Sequence, residues 1–124
     1  MSNRKKSRVP FSGTPAVVDG SEAIASVETR ISEMACAYPI TPSTTMAAIF
    51  QAAVADGRPN LWGTKLRFIE LESEHSSASS AEGAALAGAR VTNFTAGQGL
   101  ILMKACTSSL ASVCRWCSTS APEP

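Results

Sequence analysis

Apolar positions along the chain fall into short blocks separated by turn chemistry. Asp19-Gly20-Ser21-Glu22 opens a helix that Asp19 or Ser21 can cap, and Glu22 suits the positive end of its dipole. Ala23, Val27, Ile31 and Met34 recur at helical spacing and predict one apolar stripe running to about residue 35. Ala35 to Tyr38 is a short apolar run that stops at Pro39-Ile40-Thr41-Pro42, where two prolines enforce an extended loop. Ser43 is then placed to cap a second helix with Met46, Ile49, Phe50 and Val54 on one face, closed by Asp56-Gly57-Arg58-Pro59-Asn60. Leu66 to Leu71 alternates and predicts a strand. His75 to Gly88 is built of small residues, so a helix there can approach a sheet closely. Arg90 to Phe94 reads as another strand, Thr95-Ala96-Gly97-Gln98-Gly99 as a tight turn, and Leu100 to Met103 as the start of a further apolar element. The order helix, strand, helix, strand, helix, strand, helix predicts an α/β fold, a parallel sheet with flanking helices.

Composition narrows this picture. The chain has 124 residues, 44% of them hydrophobic and 6% aromatic. That is one domain with a core of small side chains, too short for a self-contained enzyme of several cofactors. No apolar run is long enough to cross a membrane and no secretory h-region follows the basic N-terminus, so the chain reads as cytoplasmic with reduced thiols. Arg4, Lys5, Lys6 and Arg8 account for the net charge of +1. With no aromatic residue among them, they read as a disordered basic arm over 1–15, not a nucleic-acid patch. Cys36, Cys106, Cys114 and Cys117 include one C-x-x-C, Cys114-Arg115-Trp116-Cys117, which suits a redox pair or half a zinc site. Zinc needs about four ligands, and Cys106 and His75 are poorly spaced to complete them, so no metal site is assigned.

Ligands on parallel sheets sit beyond the carboxyl ends of the strands. Three unusual stretches fall there: Tyr38 to Thr41, Glu72 to His75, and Thr95 to Gly99. Glu70, Glu72 and Glu74 stand at alternate positions, which on a strand would place them on one face. Glu74 is singled out because it lies where strand turns into helix; a buried carboxylate there suits a proton-donor or hydrogen-bonding role toward a heterocycle. Thr41, held between prolines, is either a hydroxyl donor to a ligand or an ordinary turn residue. Thr95 to Gly99 could turn backbone N–H groups toward an anion, though it is neither G-x-G-x-x-G nor a P-loop. His75 is either a general base or a structural partner beside Glu74.

These loops resemble a known family. Ala37-Tyr38-Pro39-Ile40-Thr41-Pro42-Ser43, Leu71-Glu72-Ser73-Glu74 and Asn93-Phe94-Thr95-Ala96-Gly97-Gln98-Gly99-Leu100 look like signatures of pyruvate:ferredoxin (flavodoxin) oxidoreductases. Asp19-Gly20-Ser21-Glu22-Ala23 is similar to that family's opening helix. The resemblance covers about residues 16–104 and implies an incomplete thiamine-diphosphate-binding fold of the pyrimidine type. It implies that Glu74 bonds the aminopyrimidine ring nitrogen as the catalytic carboxylate and that Thr41 contacts the substrate. Pro39, Thr95 and Gln98 would join Glu74 in binding the cofactor. The intact family converts pyruvate and CoA to acetyl-CoA and CO₂, passing electrons through iron–sulfur clusters to ferredoxin or flavodoxin. Its Mg²⁺, diphosphate and cluster sites belong to other domains, so the partners implied are the rest of the enzyme or other subunits, with a homo-oligomeric parent. No nucleic acid or membrane partner is implied. A binding module that pairs with a chain carrying the diphosphate-binding half is the alternative.

After Met103-Lys104 the resemblance stops, and 105–124 reads as a non-family tail rich in Ser and Cys. Reading the third base of each codon with the first two of the next lets this tail spell the family's apolar helix and strand, when degenerate bases are chosen to fit. A frame shift after Lys104 is therefore expected; it would make the three tail cysteines accidents and leave the sheet with an open edge. The isolated chain is then expected to be inactive, poorly stable and weak in thiamine-diphosphate affinity. Resequencing around codon 105 tests the shift, and calorimetry with the cofactor tests the affinity.

Overall fold

The computed structural model of the chain describes Gly13, residues 15–103 and the backbone of a strand at 116–121. Helices and strands alternate as α1 (Gly20–Ile31), β1 (Met34–Ala37), α2 (Thr44–Ala55), β2 (Arg67–Glu70), α3 (Glu74–Leu86), β3 (Val91–Ala96), α4 (Gly97–Leu102) and β4 (Trp116–Ala121). The strands form one parallel sheet in the order β2-β1-β3-β4. This is the α/β arrangement that the alternation predicts.

The first helix starts as its sequence dictates. The Asp19 carboxylate accepts from the Glu22 N–H at 2.8 Å while Glu22 reaches back to the Asp19 N–H, a reciprocal capping box. Its inward face, however, is not the predicted stripe. Ala23 is exposed and Val27 is 53% exposed, whereas Ala25 and Glu28 are buried, and Met34 belongs to β1. A carboxylate can face inward here because the Ser32 hydroxyl donates to Glu28 at 2.7 Å. Asn60, donating to the Ser32 carbonyl, ties the following turn to the same spot. A local pair of this kind has no signature in apolar periodicity.

The second helix buries Met46, Ala47, Phe50 and Ala53 on the predicted side, with Val54 packed at its margin. Ser43 occupies the N-cap position but makes no capping bond; its hydroxyl donates to the Ile40 carbonyl instead, at 2.8 Å. Phe50 meets Phe94 of β3 and Phe68 of β2, with ring centroids 5.9 and 6.4 Å apart. Around these rings the core is Ala35, Ala37, Met46, Ala47, Ala53 and Leu66. The opposite face of the sheet carries α3, whose Ser77, Ala78, Ala81 and Ala85 are buried. Small side chains on that face let helix and sheet approach, as the composition predicts.

Two expectations are corrected. Thr95 to Gly99 is not a tight turn: β3 continues through Ala96 and α4 begins at Gly97 with no residue between. All six residues of β3 are buried, so the strand keeps its ladder to its end. Nor is the β3 edge open. Backbone from the tail pairs with it over six positions, Val91 to Ala96 against Trp116 to Ala121. The unsatisfied N–H and C=O groups of a buried strand favour any extended partner, whatever its side chains. Of the basic arm over 1–15, residues 1–12 and Thr14 lie outside the described residues, as do Cys106 and Cys114; of Cys117 only the backbone, within β4, is described.

Thr92 is fully buried on β3, and among the described residues its hydroxyl has no hydrogen-bond partner. An isosteric valine removes that desolvation cost, so Thr92→Val is expected to raise stability by about 1 kcal/mol. Urea unfolding of the 124-residue chain checks this: the midpoint should rise with the slope unchanged. A fall in the midpoint would show that the hydroxyl holds a bonded water.

Candidate functional site

The carboxyl ends of β1, β2 and β3 lie side by side, since Ala37 is in register with both Glu70 and Phe94. The three unusual stretches therefore share one edge of the sheet. Glu74 is the first residue of α3, set there by Ser73, whose extended backbone and hydroxyl cap the helix at Ser76 N–H. One turn on, the Ser77 hydroxyl donates to the Asn93 side-chain oxygen at 3.1 Å, fixing α3 against β3 just below the site.

Glu74 is buried, at 8% exposure. Among the described residues no hydrogen bond or ion pair reaches its carboxylate; the one salt bridge joins Arg58 to Asp56 on the surface. Its oxygens are not wholly dehydrated, since the Thr92 hydroxyl oxygen is the only fully buried side-chain N or O atom left unpartnered among the described residues, and the positive end of α3 favours the charge. Thr95, fully buried, and Glu74 both lie against Gly99 of α4. The structure thus brings together Glu74, Thr95 and Gly99. Gly99 escaped the sequence reading, although a glycine inside an apolar helical segment, where it costs about 1 kcal/mol against alanine, is a signal of close approach.

The other candidates stand apart. Thr41 and Pro39 are exposed in the loop after β1, with the Thr41–Pro42 peptide cis. Pro39 lines a separate cavity of about 60 Å³ between α2 and β2 with Thr44, Gln51 and Glu70. Gln98 is exposed on α4, and His75 is exposed on the first turn of α3. The three alternate glutamates do not share a strand face. β2 ends at Glu70, Glu72 is exposed beyond it, and Glu74 is already helical, so burial distinguishes Glu74 alone. Cys36 is buried on β1, and burial pushes its thiol up to about 11, leaving it a protonated, inert thiol near neutral pH. Among the described residues, no three His, Cys, Asp or Glu side chains gather as a metal site, and no helix is long and apolar enough to cross a membrane.

This geometry presents a largely buried acceptor at the strand ends, packed against Thr95 and Gly99. Such a group suits a hydrogen-bond donor on an uncharged or cationic ring. Residues 26–112 match the thiamine diphosphate-binding domain of pyruvate flavodoxin/ferredoxin oxidoreductases. The chain is 46% identical over 93 residues to a pyruvate-flavodoxin oxidoreductase of Nostoc sp., and 48% identical over 90 residues to a putative one of Synechocystis sp.. Those matches cover 75% and 73% of this chain but 8% of each relative. A pyruvate:ferredoxin oxidoreductase of Moorella thermoacetica is 46% identical over 86 residues, 69% of this chain and 7% of the relative. The chain spans less than a tenth of the length of these relatives. With the parallel sheet and the matched segment in agreement, the chain belongs to the pyruvate flavodoxin/ferredoxin oxidoreductase family and carries part of its thiamine diphosphate-binding domain.

Proposed function

We propose that this chain supplies the pyrimidine-binding part of an enzyme that oxidatively decarboxylates pyruvate to acetyl-CoA and passes the electrons to ferredoxin or flavodoxin. The observation that carries the reading is Glu74, 8% exposed at the strand ends, whose carboxylate meets no donor among the described residues. A protonated ring nitrogen of the aminopyrimidine is the donor such a carboxylate lacks, so the residues present fit the cofactor. Thiamine diphosphate, when bound, supplies the electron sink that makes loss of CO₂ from a 2-oxo acid accessible. Glu74 holds a proton at the ring nitrogen and keeps the ring oriented. Its burial strengthens that hydrogen bond, because little water competes for it. Thr95 lies beside Glu74, and Pro39, on the loop after β1, and Gln98, exposed on α4, are the further proposed pyrimidine contacts, to be brought to the ring by the rest of the enzyme. Thr41, exposed on its proline-fixed loop, is the proposed contact to pyruvate. The rest of the enzyme provides the diphosphate, Mg²⁺ and iron–sulfur sites, and the 124-residue chain alone is inactive.

A hybrid enzyme tests this reading. Residues 26–103 of this chain replace the matching segment of the Nostoc oxidoreductase, and pyruvate- and CoA-dependent reduction of flavodoxin is followed. The hybrid should retain activity. A folded hybrid that reduces no flavodoxin would overturn the proposal.

A further inference from the structure

Gly99 is the third residue of α4 and is buried, yet its backbone is ordinary helix. Gly57, Gly63 and Gly88 have positive φ and so answer to backbone conformation, whereas Gly20 and Gly83 have open space around them. Gly99 answers only to space. A Cβ built there collides with the Thr95 hydroxyl, and lies 3.0 Å from Glu74 Cγ and 3.4 Å from Glu74 Oε1. Neither neighbour can easily give way. Thr95 is β-branched, fully buried and held in a strand paired on both sides. Glu74 is fixed at a helix start that Ser73 and Ser77 tie down.

We propose that Gly99 is a positioning residue: its missing side chain is what seats the Glu74 carboxylate and the Thr95 hydroxyl side by side at the end of β3. The inference rests on the functional reading of Glu74 given above and extends it to a residue that touches no ligand. Because β3 runs into α4 without a loop, the first turn of that helix sits directly over the carboxylate. Any side chain at 99 displaces one or the other. A positioned reacting group tolerates little displacement, a shift of about 1 Å costing on the order of a hundredfold in rate.

The test is a double-mutant cycle in the hybrid enzyme, with Gly99→Ala and Glu74→Gln made singly and together. Gly99→Ala should lower kcat about tenfold or more, with the KM for pyruvate little changed. In the Glu74→Gln background it should change kcat by less than about twofold, because there is no longer a carboxylate to misplace. Equal losses in both backgrounds would make Gly99 a merely structural residue and overturn the proposal, as would full activity of the single variant. If Glu74→Gln is itself as active as the parent, the functional reading falls, and this inference with it. Thermal unfolding of each variant within the 124-residue chain is measured in parallel. Should Gly99→Ala not fold, the pair Gly99→Ala/Thr95→Ser carries the same cycle against Thr95→Ser, since the serine hydroxyl is freer to rotate away while the contact to Glu74 remains.

Discussion

Replacing Glu74 by glutamine is expected to lower kcat of the hybrid enzyme by about 10²- to 10⁴-fold, the range for removing a positioned proton-transfer group. The substitution keeps the shape and the burial and removes only the charge. A glutamine side chain accepts a weaker hydrogen bond from a ring N–H and does not exchange the proton. The same change should not lower the thermal midpoint of the 124-residue chain. Glu74 accepts no hydrogen bond from the described residues, so its neutral isostere breaks none, and the lower cost of burying a neutral group offsets the lost attraction to the first turn of α3. Activity and stability thus move independently, the mark of a residue kept for its chemistry. Steady-state kinetics and calorimetric melting check both halves. A variant within about tenfold of the parent rate would remove Glu74 from the reaction.

Phe50→Ala should remove about 3–5 kcal/mol of stability. A small domain has about 5–15 kcal/mol in all, so the variant sits near the edge of unfolding. Phe50 is fully buried and is the ring through which Phe68 of β2 and Phe94 of β3 communicate with α2. Four of the remaining core neighbours are Ala35, Ala37, Ala47 and Ala53, which have no rotamers with which to fill the space. The cavity therefore stays open, which places the cost toward the upper end of the range. Phe50→Leu should cost clearly less. Urea unfolding monitored by circular dichroism checks the pair. A loss under about 1 kcal/mol for the alanine variant would mean that the aromatic triad is not the centre of the core.

The legible parts of this molecule are those where one local rule governs a whole element. The Asp19 capping box, the alanine- and serine-rich α3 and the apolar face of α2 are read directly from residue spacing. The alternation of helix and strand gives the parallel sheet, and the strand-end rule then gathers the candidate loops on one edge of it. What escaped depends on partners distant in sequence or on polar pairs. Glu28 faces inward because Ser32 satisfies it, and Val27 is left outside as a result. Gly99 looks like a turn glycine until Glu74, far upstream, is seen to occupy the volume its Cβ would take. Of the proposed site, Glu74 was distinguishable by its position between strand and helix. That Thr95 and not Thr41 lies next to it follows from the register of β3 against β1, which no single-sequence pattern encodes.

The strand order also sets the sequence of events at the ribosome. β1 sits in the interior of the sheet, yet both of its neighbours are made after it. Once β1 has left the ribosome it has two bare edges and an alanine-rich face until Arg67–Glu70 has emerged in turn. No hairpin can cover it, because every pairing in the sheet is parallel and spans a helix. The nascent chain is therefore longest at risk of mispairing in its first half, and a holding chaperone would act there rather than on the finished domain.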